Sequence, residues 1–519
     1  MEQQHLFETI PADKYDLLSR EELIILHKGE LDLNKQLQKY NKELLDQLLS
    51  SEQKSFLLEE QTLNIKNRLF GKSSEKSSKK SNKSNNTKSS KKRVLLPSER
   101  YPNIDVIEKD VTLDEVPNCP CCTKEMQDSG LTEDSEYLTV IPKRYYIVKQ
   151  KRHKYRCSSC QGALETTPAI PRIKPGSSYS DEMMLDVALT KYCDLIPVER
   201  YVQMASRTGV TGIPANSLIQ GTHNVADFLE VIYERIKEEI INSKILHADE
   251  TPHRMLEGDK KNHWFLWGFS TETASYFEAK DTRSGSIATK FLENSQCEYL
   301  ISDAFSGYKK AVNDTNIYRK ENDLREIINI FCNAHARRKF KESINNYEEE
   351  SHFYLWCYQK IYHLEKKKDY KKRRDWQRVY FRVMERMALK IKNSYSSKST
   401  LSKALNYFIN NYKELTYFLN FKEIPIDNNS QERLMRSPVI GRKTWFGTHS
   451  KRGAKTNVVL FSLIESCKLN KINPREYFKE IVLAIHQNQQ IFTPNEYRIM
   501  KSAEIACKNA VLRRFTFFR

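Results

Sequence analysis

Between Ile424 and Ala454 the chain reads IPIDNNSQERLMRSPVIGRKTWFGTHSKRGA, which sets one carboxylate, Glu432, among Arg433, Arg436, Arg442 and Lys443. A lone acid amid cations suits a site that holds a divalent ion and handles phosphate. Two acidic clusters upstream, HADET around Asp249 and ISDAFSGY around Asp303, end strand-like apolar runs and are placed to supply its partners. A metal-dependent phosphodiester enzyme is therefore the leading reading. A plainer one stands beside it: Asn429 and Glu432 have capping-box spacing, and Glu432 with Arg436 is a helical i,i+4 ion pair. Only the three clusters together favour chemistry.

Cysteine and histidine add further chemistry. Cys119-Pro-Cys-Cys122 and Cys157-Ser-Ser-Cys160 are two knuckles, each able to present two thiolates to one tetrahedral ion. Cys119, Cys122, Cys157 and Cys160 are expected to close a structural Zn2+ site, although Cys121 could replace a neighbour. The CNAH segment pairs Cys332 with His335, half of a metal site with no second half close by in sequence. His335, Arg337 and Arg338 are expected instead to bind phosphate or support the acids, and a helix start capped by Asn333 is the alternative. Arg433, Arg436, Arg442 and Lys443 are assigned to the DNA backbone, and Trp445 to stacking on a base or, equally, to a core.

The totals agree with such a partner. The 519 residues imply two to four domains, and the net charge of +18 points to a polyanion. No run of 18 apolar residues exists, and the polar opening MEQQHLFETIPADKYD is unlike a secretory leader, so DNA is expected rather than a membrane, in the cytoplasm. Eleven cysteines in a chain this long do not make a disulfide scaffold.

These groups must be positioned by the elements around them. Over residues 1–70, Leu23, Leu26, Leu33, Leu37 and Leu44 recur at helical spacing, and after a slip at Leu48 the pattern resumes through Leu58, Ile65 and Leu69. A self-associating coiled coil is expected there, with a helix folded back on its own domain as the alternative. Residues 71–93 are a Ser/Lys/Asn linker too polar to fold, and would also serve as a basic arm on phosphates. Residues 94–170 form the zinc-binding domain, with a basic, strand-rich stretch from Glu136 to Tyr155 between its knuckles.

Residues 171–240 read as the helices Asp181–Tyr192, Pro197–Ser206 and Pro214–Leu229, a helix-turn-helix-like DNA-binding arrangement that any small bundle would share. Over 241–346, strands at Lys244–Asp249, His263–Ser270, Ala274–Ala279, Glu298–Asp303 and Ile327–Phe331 alternate with the helix Ser286–Glu293, as in α/β layers that carry sites at strand ends. Residues 347–420 are a helical insertion whose charge run, Glu365–Arg378, reads as a solvated face. Residues 421–480 complete the core with Glu432, and 481–519 form a tail.

Taken in this order, HADETPHR, SDAFSGY, CNAHARRKF and DNNSQERLMRSPVIGRKTW resemble the transposases of the insertion-sequence-66 family, and RLFGKSSEK, the paired CxxC motifs and KYCDLIPVERY fit the same pattern. The resemblance runs from about Leu37 to Phe478. Thr444 departs from it, as do Gly447 and His449 after Trp445. It implies a multidomain α+β chain. A ribonuclease-H-like α/β catalytic core with a helical insertion would follow a coiled-coil helix, a small zinc-binding β domain and a helix-turn-helix-like bundle.

The acidic triad of that core is matched by Asp249, Asp303 and Glu432, which would hold two Mg2+ or Mn2+ ions about 4 Å apart. The implied activity is that of a DDE transposase, which cleaves the ends of its element and joins the freed 3′-hydroxyl to new DNA. Its partners would be the terminal inverted repeats and target DNA, further copies of the chain in a homo-oligomer, and accessory proteins encoded by the element. An inactive, regulatory DNA-binding derivative and another nuclease of the same fold are the alternatives; an intact triad favours the transposase.

Overall fold

The computed structural model describes residues 96–504, except 103, 110–116, 118–119, 122, 127–134, 141–142, 159–161, 163, 257–262 and 368, together with Lys35, Lys39 and Leu58. The linker, nearly all of the expected coiled coil, and Cys119, Cys122 and Cys160 lie outside the described residues. Two units are present. One draws on 96–151 and 207–210 and contains a single helical turn, α1 (Pro97–Arg100), beside which Ser98 bonds Glu136 through both its amide and its hydroxyl. The other comprises 152–206 and 211–504 and holds everything that follows.

The expected strand-rich stretch is sparse. Of residues 136–155, described except 141 and 142, only Lys154 and Tyr155 lie in a strand, β1 (Lys154–Arg156), paired antiparallel with β2 (Leu164–Thr166). Most of this stretch is exposed, and a two-stranded ribbon without a buried face has little to extend it.

Four helices follow: α2 (Asp181–Tyr192), α3 (Val198–Ser206), α4 (Ala215–Phe228) and α5 (Glu230–Ile241). Ser180 caps α2 by accepting the Met183 amide. Leu185, Val225, Ile232 and Ile236 pack into the same hydrophobic core as the sheet that follows.

That sheet contains β3 (Ile245–Arg254), β4 (His263–Ser270), β5 (Ser275–Lys280), β6 (Tyr299–Ser302) and β7 (Ile328–Phe331), in the spatial order β5-β4-β3-β6-β7. The first three form an antiparallel meander, and β6 and β7 add parallel to β3. The parallel steps need crossovers. α6 (Ser286–Glu293) lies in the connection to β6, and α7 (Ser306–Glu321) links β6 to β7. The alternation of side chains along a strand divides the packing. Leu300 enters the core shared with α2, α4 and α5, while its neighbour Ile301 joins a second core made by the insertion.

β7 leads into α8 (Asn333–Ser343), and then come α9 (Glu348–Glu365), α10 (Tyr370–Ile391), α11 (Thr400–Asn410) and α12 (Tyr412–Thr416). Tyr354, Tyr358, Phe381, Met384 and Phe408 interlock at their centre. The charge run here is not wholly solvated. Arg374 is 2% exposed, pairs with Glu365 and covers the Phe418 ring, because its buried guanidinium finds a carboxylate and a π face within reach.

The chain returns to the sheet through α13 (Asn429–Trp445), α14 (Lys451–Leu469) and α15 (Pro474–His486). α14 is apolar around most of its girth, as suits a buried helix. Its Ser462 and Ser466 hydroxyls, one turn apart, accept the Phe277 and Ser275 amides and so satisfy part of edge strand β5. Among the described residues no helix is long and apolar enough to cross a membrane.

Candidate active site

Asp249 does not end its strand. β3 pairs with β6 only as far as His247, but it runs on beside β4 to Arg254. Past His247 only one neighbour pairs with it, so Pro252, which has no N–H, is tolerated. Leu246 and Ala248 enter the core, so His247 and Asp249 alternate to the other face, where α13 lies. Asp303 follows β6 directly. The register Ile245–Tyr299, His247–Ile301, carried two residues further, sets Asp303 beside Asp249 on that face. The Asp303 carboxylate accepts the Phe305 amide at 3.0 Å.

Glu432 comes from far along the chain and is brought in by clamps at both ends of its helix. Before α13, the Asn428 amide group donates to the Ala248 carbonyl at 2.9 Å, and its oxygen stands 2.7 Å from His247 Nδ1. After α13, Phe446 turns left-handed and Gly447 has φ +130°, where a Cβ would strike the Arg254 carbonyl. Thr448 then donates its amide to the Arg254 carbonyl at 3.0 Å and accepts the Leu256 amide at 2.7 Å. Both grips are on the Asp249 strand and its continuation. Directly opposite Asp249 stands Gly268, and the missing side chain leaves room for Gln431 and Met435 of α13.

The capping reading of Glu432 is not what forms. Asn428 is the N-cap but its side chain makes no capping bond to the helix, and Asn429 donates to Asp427 instead. Arg436 is exposed and makes no ion pair with Glu432 among the described residues. Glu432 meets α8 instead: its Oε2 is 3.4 Å from Arg338, and its Oε1 is 3.6 Å from His335 Nδ1.

The electrostatics record how close the acids lie. The Asp249 carboxyl is pushed from its ordinary 3.8 up to about 8, first by burial, then by the like charges of Glu250 and Asp303 and, more weakly, Glu432. Glu250 points to the opposite face with its side chain 2% exposed; it accepts from the Tyr308 hydroxyl at 2.7 Å and pairs with Arg283. Burial raises its pKa against those bonds. Burial also holds the His335 imidazole below its ordinary value, against the pull of Glu432.

Asp249, Asp303 and Glu432 share one field but do not close to single-ion distance. Among the described residues, the His, Cys, Asp and Glu group whose ligand atoms all lie within 4.8 Å of one another is Cys332, His335 and Glu432. Proximity to Glu432 thus gives the CNAH pair the third member that linear spacing did not show. Asn333 does not cap: it is buried and donates to the Leu415 and Ile426 carbonyls.

The other expected residues divide by exposure. Arg433, Arg436 and Lys443 are exposed along α13, and Arg337 is half-buried. Arg442 lies 3.4 Å from the Thr251 hydroxyl. Trp445 packs edge-on to Tyr192, with Lys191 over its ring. Cys157 is exposed just past β1. Sequence reasoning passed over Asn428 and Glu250, although both adjoin quoted motif residues.

The chain is a mixed α/β protein whose mixed sheet is consistent with the catalytic core of a transposase. The chain belongs to the transposase IS66 family, whose model matches residues 176–456, more than half of its length, and membership implies a transposase function with divalent-metal use. It is also similar to proteins of Sinorhizobium fredii (strain NBRC 101917 / NGR234). The uncharacterized protein y4jD is 24% identical over 70% of this chain and 74% of its own length. The uncharacterized protein y4hP is 24% identical over 74% of each.

Proposed function

We propose that this chain is an active DDE transposase that binds the terminal inverted repeats of its element, cleaves the ends, and joins the 3′-hydroxyl to target DNA. The observation that carries this is the placement of Asp249 and Asp303 side by side with Glu432 clamped over them; burial first, then the charges of Glu250, Asp303 and Glu432, raises Asp249 to about 8. Carboxylates crowded at that cost suit divalent cations, and hard oxygen donors fit Mg2+ or Mn2+. Two ions do not require all three acids on one centre, so oxygens farther apart than a single ion allows remain compatible with the site.

When bound, the ions would activate the attacking oxygen and stabilise the leaving one. The chain's own residues do the rest. Asp249, Asp303 and Glu432 hold the charge that DNA phosphate completes. Arg338, beside Glu432, offers a guanidinium fork to a phosphate, and Arg433, Arg436 and Lys443 line the outer side of α13 for the DNA backbone. His335, Arg337, Arg442 and Trp445 support that surface. Water attacks first, breaking the bond to the 3′ oxygen and freeing a 3′-hydroxyl. The hydroxyl then attacks a target phosphodiester, bonding to its phosphorus and expelling the target's own 3′ oxygen, and neither step uses a protein nucleophile.

The sheet order, an antiparallel meander followed by two parallel strands, supports a ribonuclease-H-like core. Zn2+ on Cys119, Cys122, Cys157 and Cys160, a coiled coil within 1–70, a helix-turn-helix-like role for 171–240, and assembly as a homo-oligomer complete the proposal.

Asp249→Ala tests it. Strand cleavage in Mg2+ falls by at least ~10³-fold, because several kcal/mol of transition-state stabilisation go with the ligand, while binding to element ends persists. Loss of end binding as well would make the acid structural.

A further inference from the structure

Where the first turn of α8 meets the first turn of α13, three chemically different ligand atoms converge. Cys332 Sγ, a His335 ring nitrogen and a Glu432 oxygen all lie within 4.8 Å of one another. Ligands about 2.0–2.3 Å from a tetrahedral zinc stand ~3.3–3.8 Å apart, so the cluster is within a small side-chain adjustment of that geometry. His335 Nδ1 and Glu432 Oε1 are already 3.6 Å apart, too far for a hydrogen bond. Both atoms are buried, and among the described residues neither has a hydrogen-bond partner. Two polar atoms left bare and facing each other across such a gap are unusual in a folded protein and mark a place for something between them.

The cysteine is prepared in a separate way. Its Sγ accepts the Asn428 amide at 3.1 Å, and the Ala334 and His335 amides also donate to it. Burial pushes the Cys332 thiol up to about 12, and these backbone N–H groups pull it back only in part, so an entering ion must displace the thiol proton. The amide of Asn428 belongs to the residue that positions α13, so the sulfur is tied to the same clamp that brings Glu432 in. His335 and Glu432 keep 24% and 22% of their side-chain surface exposed, which leaves the site open to an entering ion.

We propose that Cys332, His335 and Glu432 form a binding site for one divalent ion of the zinc class, with a coordination position left open. Sulfur, imidazole and carboxylate together suit zinc or cobalt and not magnesium. The site shares Glu432 with the acids of the proposed hard-ion centre, so a zinc-class ion here draws Glu432 from Asp249 and Asp303 and lowers cleavage. That consequence depends on the functional reading above; the site itself does not.

Co2+ is the probe, added to the metal-stripped full chain. The four-cysteine site contributes to every spectrum, so the signal is the difference between wild type and variant. Cys332→Ala loses one bound equivalent together with the thiolate-to-cobalt charge-transfer absorption it carries. His335→Ala weakens the same equivalent by about tenfold or more. Asp249→Ala retains both the equivalent and the absorption. Wild type, Cys332→Ala and His335→Ala giving the same stoichiometry and spectrum would overturn the site. Cys332 is fully buried; should its variant misfold, the partly exposed His335 decides the matter.

With DNA ends in Mg2+, added Zn2+ lowers wild-type cleavage by about tenfold and does so less in Cys332→Ala, each compared with its own zinc-free rate. Cobalt binding without zinc inhibition overturns the competition. Cobalt binding in a chain that cleaves under no metal leaves the site standing and removes the transposase mechanism instead.

Discussion

Asp249 and Glu432 face the same space but are held there by different means. Asp249 sits on β3 beside β4, its backbone fixed by a ladder that continues five residues beyond it to Arg254. Glu432 stands on the first turn of a helix that the chain reaches only after the whole insertion, and its position comes from Asn428 at one end and Thr448 at the other. The sheet therefore supplies Asp249 as part of its own folding, whereas Glu432 depends on a few tertiary hydrogen bonds. Catalysis should be sensitive at both places, but only the second can be loosened without damaging the sheet.

The largest test of this difference replaces Glu432 itself. Glu432→Gln should lower cleavage by at least ~10³-fold, as Asp249→Ala should, since each would remove a ligand of the same proposed centre. The thermal transition should stay within about 1 kcal/mol of wild type, because the side chain is partly exposed and its pair with Arg338 is long. A large loss of stability would show that Glu432 holds α8 to α13 and is not chiefly catalytic. Asn428→Ala comes next. It keeps all three acids but removes the bonds to Ala248 and His247, so cleavage should drop by ~10²-fold with end binding retained. Unchanged cleavage kinetics would show that α13 is positioned by packing alone.

These contrasts explain which parts were legible in the sequence. Strands such as His263–Ser270 and the helix Ser286–Glu293 declare themselves through local pattern, and the structure reproduces them to the residue. The extension of β3 past Asp249 was not legible, because ETPHR carries charge and a proline and is held by its pairing with β4. The partner of the CNAH pair was hidden for a related reason. Glu432 lies close to Cys332 and His335 only because α13 is clamped to β3, a contact across a long stretch of chain. Gly447 looked like an irregularity after Trp445; its left-handed backbone and tight approach to Arg254 are what let the chain turn back onto the strand.

Asp249 also makes the difference visible in pH. Its folded pKa of about 8 lies above its ordinary 3.8, so between those values the metal-free folded chain holds a proton that the unfolded chain has released. Stability contributed by this group is therefore full below about pH 4, declines as pH rises, and levels off above about 8. Metal must displace the same proton, so apparent Mn2+ affinity should climb by up to about tenfold per pH unit until about 8. Asp249→Asn should flatten the stability trend. If the trend persists in that variant, another group is responsible and the crowding of the acids is weaker than the structure implies.

The finest test leaves every acid and every clamp in place and alters only the seat of α13. Gly268 lies opposite Asp249, and a Cβ there would come within 2.2 Å of Gln431 Nε2 and 3.0 Å of Met435 Sδ. Gln431 is fully buried and bonded to the Ser270 hydroxyl, so it cannot simply swing into solvent. Gly268→Ala should therefore cost about 1–3 kcal/mol in urea denaturation, the usual penalty for overpacking, with the m-value unchanged. The sheet should absorb little of this strain, because β4 is laddered on both sides, and the helix should shift instead. Cleavage should then fall only a few-fold, less than in Asn428→Ala, because the clamps still return Glu432 to the acids. A rate loss as large as that of Asn428→Ala would reverse the assignment, making the packing of α13 on the sheet, and not its end clamps, the feature that sets Glu432 in place.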